Sequence, residues 1–301
     1  MNLFLLSLLG VIWGTSFLFI KIIVNEVPPL TLVAGRTGFA ALILWGIIVL
    51  QKIPLPKDRK VWYAFAIVGI FNGALPYTLI SWGEQFIPSG WASLLQATTP
   101  IFTILAAHFM TLDDRITGKK AFGVILGFTG VGLLMLPEIQ VGNLGPAWGM
   151  LAIVGSSISY ALASIFARKR LQGQPPMLST AGQLTFGFAY ILPLSIIFDR
   201  PFLLTPSTNV WLSWAALTLF GTVIAYNIYY TLLERTNATF TVSVTYIVPI
   251  FGSILGALIL HENLNPIIIV SLLCILIGVL LVKVKDKQRF LKPATKIHSS
   301  T

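Results

Sequence analysis

Charged residues are scarce: Asp, Glu, Lys and Arg make up 10% of the 301 residues, where a soluble domain carries about 25%. So few polar groups cannot cover a water-facing surface, which excludes an ordinary soluble domain and leaves lipid as the main solvent. Cysteine is almost missing. The one cysteine, Cys274, excludes an internal disulfide and a cysteine-built metal cluster. No H-E-x-x-H, G-x-S-x-G or nucleotide-binding glycine loop occurs, and the acidic residues form no metal-holding cluster. These absences remove the hydrolase, metalloprotease and nucleotide-driven pump readings. No cofactor is expected.

Apolar residues are plentiful, at 56% of the chain with a mean hydropathy of +0.86. A bilayer-crossing helix needs about 20 mostly apolar residues. Ten such runs are predicted, at 2–24, 30–50, 62–86, 89–111, 118–136, 145–167, 177–198, 210–233, 238–260 and 265–283. The interruptions are short and carry Pro, Gly, Asn and charge, and only "QFIPSG" divides spans three and four. The first run lacks a basic start and a small-residue cleavage site, so it is read as a retained span. Seventeen of the 20 Lys and Arg residues fall in alternate loops and the tail. By the positive-inside rule this puts both termini in the cytoplasm, in a multi-pass cytoplasmic-membrane protein. The basic balance therefore reports orientation and not a nucleic-acid partner. The tail, 285–301, is basic without apolar periodicity and is expected to be disordered and drawn to anionic lipid.

The chain repeats itself. "IWGTSFLFIKIIVNEVPPLTLVAGR" aligns without a gap on "SYALASIFARKRLQGQPPMLSTAGQ" at a shift of 147, pairing Trp13 with Tyr160, Lys21 with Arg168 and Arg36 with Gln183. Later the shift is 149, pairing Phe71 with Phe220, Tyr77 with Tyr226, Gln96 with Thr245 and Pro100 with Pro249. Five spans per half, an odd number, make the second half lie upside down relative to the first. The predicted fold is an all-α integral membrane protein of ten transmembrane helices in two inverted five-helix repeats, 1–141 and 142–284. Inverted repeats in membranes usually mean a transporter with its site near the midplane.

Ten spans in two halves, the opening "WGTSFLFIK", the "PP-x6-R" entering span two, the "TP"/"VP" prolines of spans four and nine, and "HENL" after span nine resemble EamA-type members of the drug/metabolite transporter superfamily. The resemblance runs from about residue 3 to 283, with the Asp113-Asp114 pair and Gln183 as departures. It implies a central cavity among spans one to four and six to nine, spans five and ten outside, and a bias toward export.

Candidate lining residues follow from their types. Trp13 and Phe17 share a face of span one with Gly10 and Gly14, and Tyr77, Tyr160 and Tyr226 add aromatic walls. Small-molecule pockets are mostly apolar and aromatic, with few polar groups. Pro100 and Pro249 are expected to break spans four and nine by removing a helix hydrogen bond, with Gln96 and Thr245 one turn before them. Arg36, seven residues into span two, is too deep to snorkel and should face the interior, where it could receive a substrate carboxylate or pair with a carbonyl or Glu84. Gln183 takes its place in the second half. Lys21 reads as an interfacial anchor or gate. The small-xxx-small pairs read as packing seams, and nothing here sets an oligomeric state.

The expected partners are a small-molecule substrate and the lipid bilayer, and proton coupling would fall to Glu84 and Glu234. The substrate reading is an amino acid or related amphipathic metabolite, with sugar or organic-anion import or exchange as the alternative. The His108–Asp113 spacing matches some acyltransferases but has no support elsewhere, and a channel would want a more continuous polar lining.

Overall fold

The computed structural model describes residues 1–110, 116–142, 144–236, 240–241 and 243–283, without the side chains at 230, 233 and 234. Asp113, Asp114, Glu234 as a side chain, and the 285–301 tail lie outside the described residues. Every regular element among the described residues is helical. Among the described residues, nine helical spans are long and apolar enough to cross a membrane: Asn2–Val24, Pro29–Leu50, Arg59–Gly83, Ser89–Met110, Gly118–Gln140, Leu144–Arg170, Pro176–Asp199, Thr208–Tyr229 and Pro266–Lys283. A shorter apolar helix, Val244–Ile259, supplies the ninth in chain order. The ends differ from the hydropathy runs by a few residues, as when span five continues to Gln140 through Pro137.

Proline sets several starts. Pro28 and Pro88 sit just outside spans two and four in extended conformation, with Pro29 opening the helix of span two. A helix start leaves N–H groups unpaired, and a proline there fixes the entry angle but has no side-chain oxygen to cap them.

The helices pair in a regular way. Span two lies along seven, span five along ten, span one along nine and eight, and span six along four and three. Exchanging spans one to five for six to ten leaves those pairings unchanged. Spans five and ten are the least buried of the nine and meet through Gly123 and Gly278. A Cβ on either glycine would stand 2.6 Å from the other's carbonyl oxygen, so only glycine allows this approach.

Two departures from regular helix matter for the site. Span three contains a π-helical turn, Ile70–Ala74, and span eight another, Leu219–Ile224, at positions matched by the 149-residue shift. Each lies just before the tyrosine of its span, Tyr77 or Tyr226.

The proline expectation needs correction. In span four the helix ends at Gln96 and restarts at Thr99, so Pro100 sits in a first turn, where its missing N–H costs nothing. The break precedes the proline instead of being caused at it. In span nine Pro249 lies inside Val244–Ile259, after a turn at Ser243, so the two breaks are not equivalent.

Candidate functional site

Arg36 lies at the centre of the molecule with 6% of its surface exposed. Its Nε donates to Thr222 Oγ1 at 3.0 Å, inside the π turn of span eight. Its guanidinium carbon stands 4.0 Å from the centre of the Tyr77 ring, close enough for a cation–π attraction. No described protein atom accepts from its two terminal amino groups. The cation is thus held by one side chain and one ring, with its fork left for something else.

Aromatic pairs flank it. Tyr77 meets Tyr160 edge-on at 6.5 Å, and Trp13 meets Tyr226 edge-on at 6.3 Å and Tyr229 at 5.7 Å. Thr222 lies one turn before Tyr226, so span eight carries both the arginine's partner and an aromatic wall. The matching crossing in the other half is neutral: Asn72 Nδ2, in the π turn of span three, donates to Gln183 Oε1 at 2.8 Å. That π turn also frees the Phe71 carbonyl, which accepts from Ser159 Oγ of span six at 2.7 Å.

A cavity of about 300 Å³ reaches Tyr226 from the face that carries Met1 and Arg235, here the near face. Leu44, Gln51, Pro176, Thr180 and Thr231 line it with Tyr226. Other candidates are placed elsewhere. Phe17 is in the buried core. Gln96 uses both ends of its amide, donating to Thr99 Oγ1 and accepting from Ser156 Oγ of span six at 2.7 Å. It braces the break in span four. Thr245 accepts from Lys283 Nζ at 3.0 Å, at the seam of spans nine and ten.

The opposite, far face is closed by contacts that the sequence reading missed. Asp199 accepts from Thr31 N at 2.7 Å at the start of span two. Glu262 accepts from Ser89 N and Gly90 N, at 2.7 and 3.0 Å, at the start of span four. Glu26 accepts from Ser207 N and Oγ, at 2.7 and 2.8 Å, at the start of span eight. Each carboxylate caps a helix in the other half of the chain, where charge and orphan N–H groups attract. The Ser207 N–H, then its hydroxyl, hold the Glu26 carboxyl below its ordinary 4.5. Lys21 turns inward from span one and donates to the carbonyls of Glu84, at 2.5 Å, and Ile87, at 3.0 Å. It acts as a clasp, where an anchor would have reached outward. Pro28 and Pro88 leave two of these helix starts without a capping side chain of their own, a mark that a cap is wanted but not of which residue supplies it.

A helical membrane bundle with a buried arginine among aromatic rings, a cavity that runs from one face to Tyr226 and carboxylate caps at the other face has the form of a carrier. Two stretches of the chain, residues 1–136 and 147–284, match the model of the EamA-like transporter family. The chain belongs to that family. It is 29% identical over 276 residues to the "Uncharacterized inner membrane transporter YedA" of Escherichia coli K12, covering 91% of this chain and 88% of that one. It is 24% identical to the "Uncharacterized transporter YoaV" of Bacillus subtilis strain 168, covering 89% and 91%. A solved crystal structure matches with a TM-score of 0.66 at 17% identity, over 94% of this chain and 96% of that one, a likeness of fold alone.

Proposed function

We propose that the chain is a secondary carrier of small amphipathic metabolites bearing an anionic group, amino acids or their relatives, which bind at Arg36. The observation that carries this reading is the buried guanidinium whose terminal amino groups have no protein acceptor among the described residues. A carboxylate can meet such a fork with two parallel charge-assisted bonds, while Tyr77 and Trp13 offer the apolar contact. The two halves, 1–141 and 142–284, act as inverted repeats that rock about this centre, consistent with the exchangeable helix pairings. Reading the termini as cytoplasmic makes the near face the cytoplasmic one and the cavity to Tyr226 an inward-facing cavity. Export is the favoured direction, on the family resemblance.

Counterflow in proteoliposomes preloaded with a mixed amino-acid pool tests this, comparing wild type with Arg36→Gln. Exchange of a defined amino acid by wild type, lost in a folded Arg36→Gln protein, is the expected result. Exchange of an organic anion in place of an amino acid would move the reading to that substrate class. Equal exchange by both proteins would make Arg36 structural.

A further inference from the structure

Glu84 stands one residue past span three, at the far face, with 0% of its surface exposed. Neither carboxyl oxygen has a hydrogen-bond partner among the described residues. This is unusual beside a cation. Lys21 of span one is close, yet its ammonium is spent on the backbone carbonyls of Glu84 and Ile87. Glu262, from the loop after span nine, faces the same region with its carboxylate committed to Ser89 and Gly90. Arg36 of span two is the remaining charge that acts on it; in span six Tyr160 is turned against Tyr77, and the basic residues 168–170 lie at the span's other end. The segment of span four beside it, Ser89–Gln96, adds no charged side chain.

An ionised carboxylate with no donors in a dry site costs several kcal/mol, so the site favours the neutral acid. Burial pushes the Glu84 carboxyl well above its ordinary 4.5, with Lys21 opposing the shift and Glu262 adding to it. The contacts that keep water away are also the contacts that close the far face. Lys21 joins span one to the end of span three, and Glu262 joins the end of span nine to the start of span four. Opening must part them. It would then release the Lys21 ammonium beside a carboxyl newly reached by water, and both changes favour ionisation.

We propose that the Glu84 carboxyl is a proton-binding site of the transport cycle, protonated while the far face is closed and surrendering its proton to water on that side when the face opens. The proposal rests on the carrier reading, because it requires that the far face opens. The O–H bond of the acid breaks, its electron pair stays on the carboxylate, and the proton leaves to solvent. Because the closed state binds the proton more tightly, acid on the far side favours closure and alkali favours opening.

The test uses full-length protein in proteoliposomes, without substrate. Infrared spectra should show the carbonyl stretch of a protonated carboxyl at neutral pH in wild type, missing in Glu84→Gln. In a Cys274→Ser background, Ser89→Cys places a thiol at a wholly buried far-face position. Asn25→Cys, at an exposed position, supplies the intrinsic pH dependence of thiol reactivity. Labelling of Ser89→Cys by a membrane-impermeant maleimide, relative to Asn25→Cys, should rise with external pH by up to about tenfold per unit, the limit for one proton. Adding Glu84→Gln, which keeps the shape of the neutral acid, should hold labelling low at every pH. A missing infrared band overturns the proton site. Labelling that ignores pH, or that responds equally in Glu84→Gln, overturns the link to opening. A Ser89→Cys thiol that never reacts overturns the carrier reading and the link with it, while intact counterflow beside pH-blind labelling removes the link alone.

Discussion

The two matched crossings at the centre use the same scaffold for different chemistry. Where span two meets the π turn of span eight, Arg36 donates one bond to Thr222 and keeps its fork unspent. Where span seven meets the π turn of span three, Gln183 and Asn72 close on each other as a neutral amide pair. Two matching helix crossings have thus been made unlike by one cation. The first half holds the charge that can attract a solute, and the second holds a hydrogen bond that can stay shut. A second buried arginine at 183 would have brought two unpaired cations into one low-dielectric centre, at a cost of several kcal/mol.

That contrast can be broken most sharply at Arg36. Losing a bidentate, charge-assisted contact of about 1.5–3 kcal/mol should weaken solute binding roughly ten- to a hundredfold in Arg36→Gln, read as the concentration dependence of counterflow. The mirror change should behave differently. Gln183→Leu leaves the Asn72 amide without its partner and should lower stability by about 1–3 kcal/mol in thermal melting, with the substrate concentration for half-maximal counterflow little changed. If Gln183→Leu instead removes transport while melting normally, the two crossings are equal partners in binding. Tyr77 sharpens the comparison at a smaller scale. Tyr77→Phe keeps a ring under the guanidinium and should transport nearly as wild type, whereas Tyr77→Leu forfeits about 0.5–2 kcal/mol of cation–π attraction and should bind up to some thirtyfold more weakly.

The smallest effect is expected at the far face, outside both crossings. Glu26 is held below its ordinary 4.5 by Ser207, so its cap contributes stability above that value. The contribution is lost as the pH falls through the lowered value of the folded protein. The slight advantage in melting temperature of wild type over Glu26→Gln should therefore be present at neutral pH and vanish in acid well below 4.5.

Much of this was legible in the residues. Among the described residues nine of the ten apolar runs are helices long enough to span and the other holds the shorter helix Val244–Ile259, because lipid permits few other forms, and the repeat arithmetic paired Trp13 with Tyr160 and Tyr77 with Tyr226. It did not show that the aromatic contacts cross the pairs, with Trp13 on Tyr226 and Tyr160 on Tyr77. The π turns were not legible, since one widened hydrogen-bonded ring leaves no mark on composition. Nor were the far-face caps. Glu26, Asp199 and Glu262 find partners more than 160 residues away in the chain, and periodicity carries no record of such distances. Lys21 reads from the sequence as an interfacial anchor or gate, because long cations at span ends usually reach outward. It turns inward because the end of span three offers two carbonyls within its reach.

The paired π turns have a consequence for how this molecule can change its mind about a solute. A helix advances by roughly 100° per residue, so one extra residue held in a wide turn rotates everything beyond it by about that much. Tyr77 and Tyr226 owe their aim to that stored rotation. Were either turn to relax to regular helix, its tyrosine would swing from the centre toward a neighbouring span while the helix axis stayed almost in place. The two spans are in this sense keys already turned in their locks: a small unwinding would turn an aromatic side chain away from the centre without moving either helix axis far.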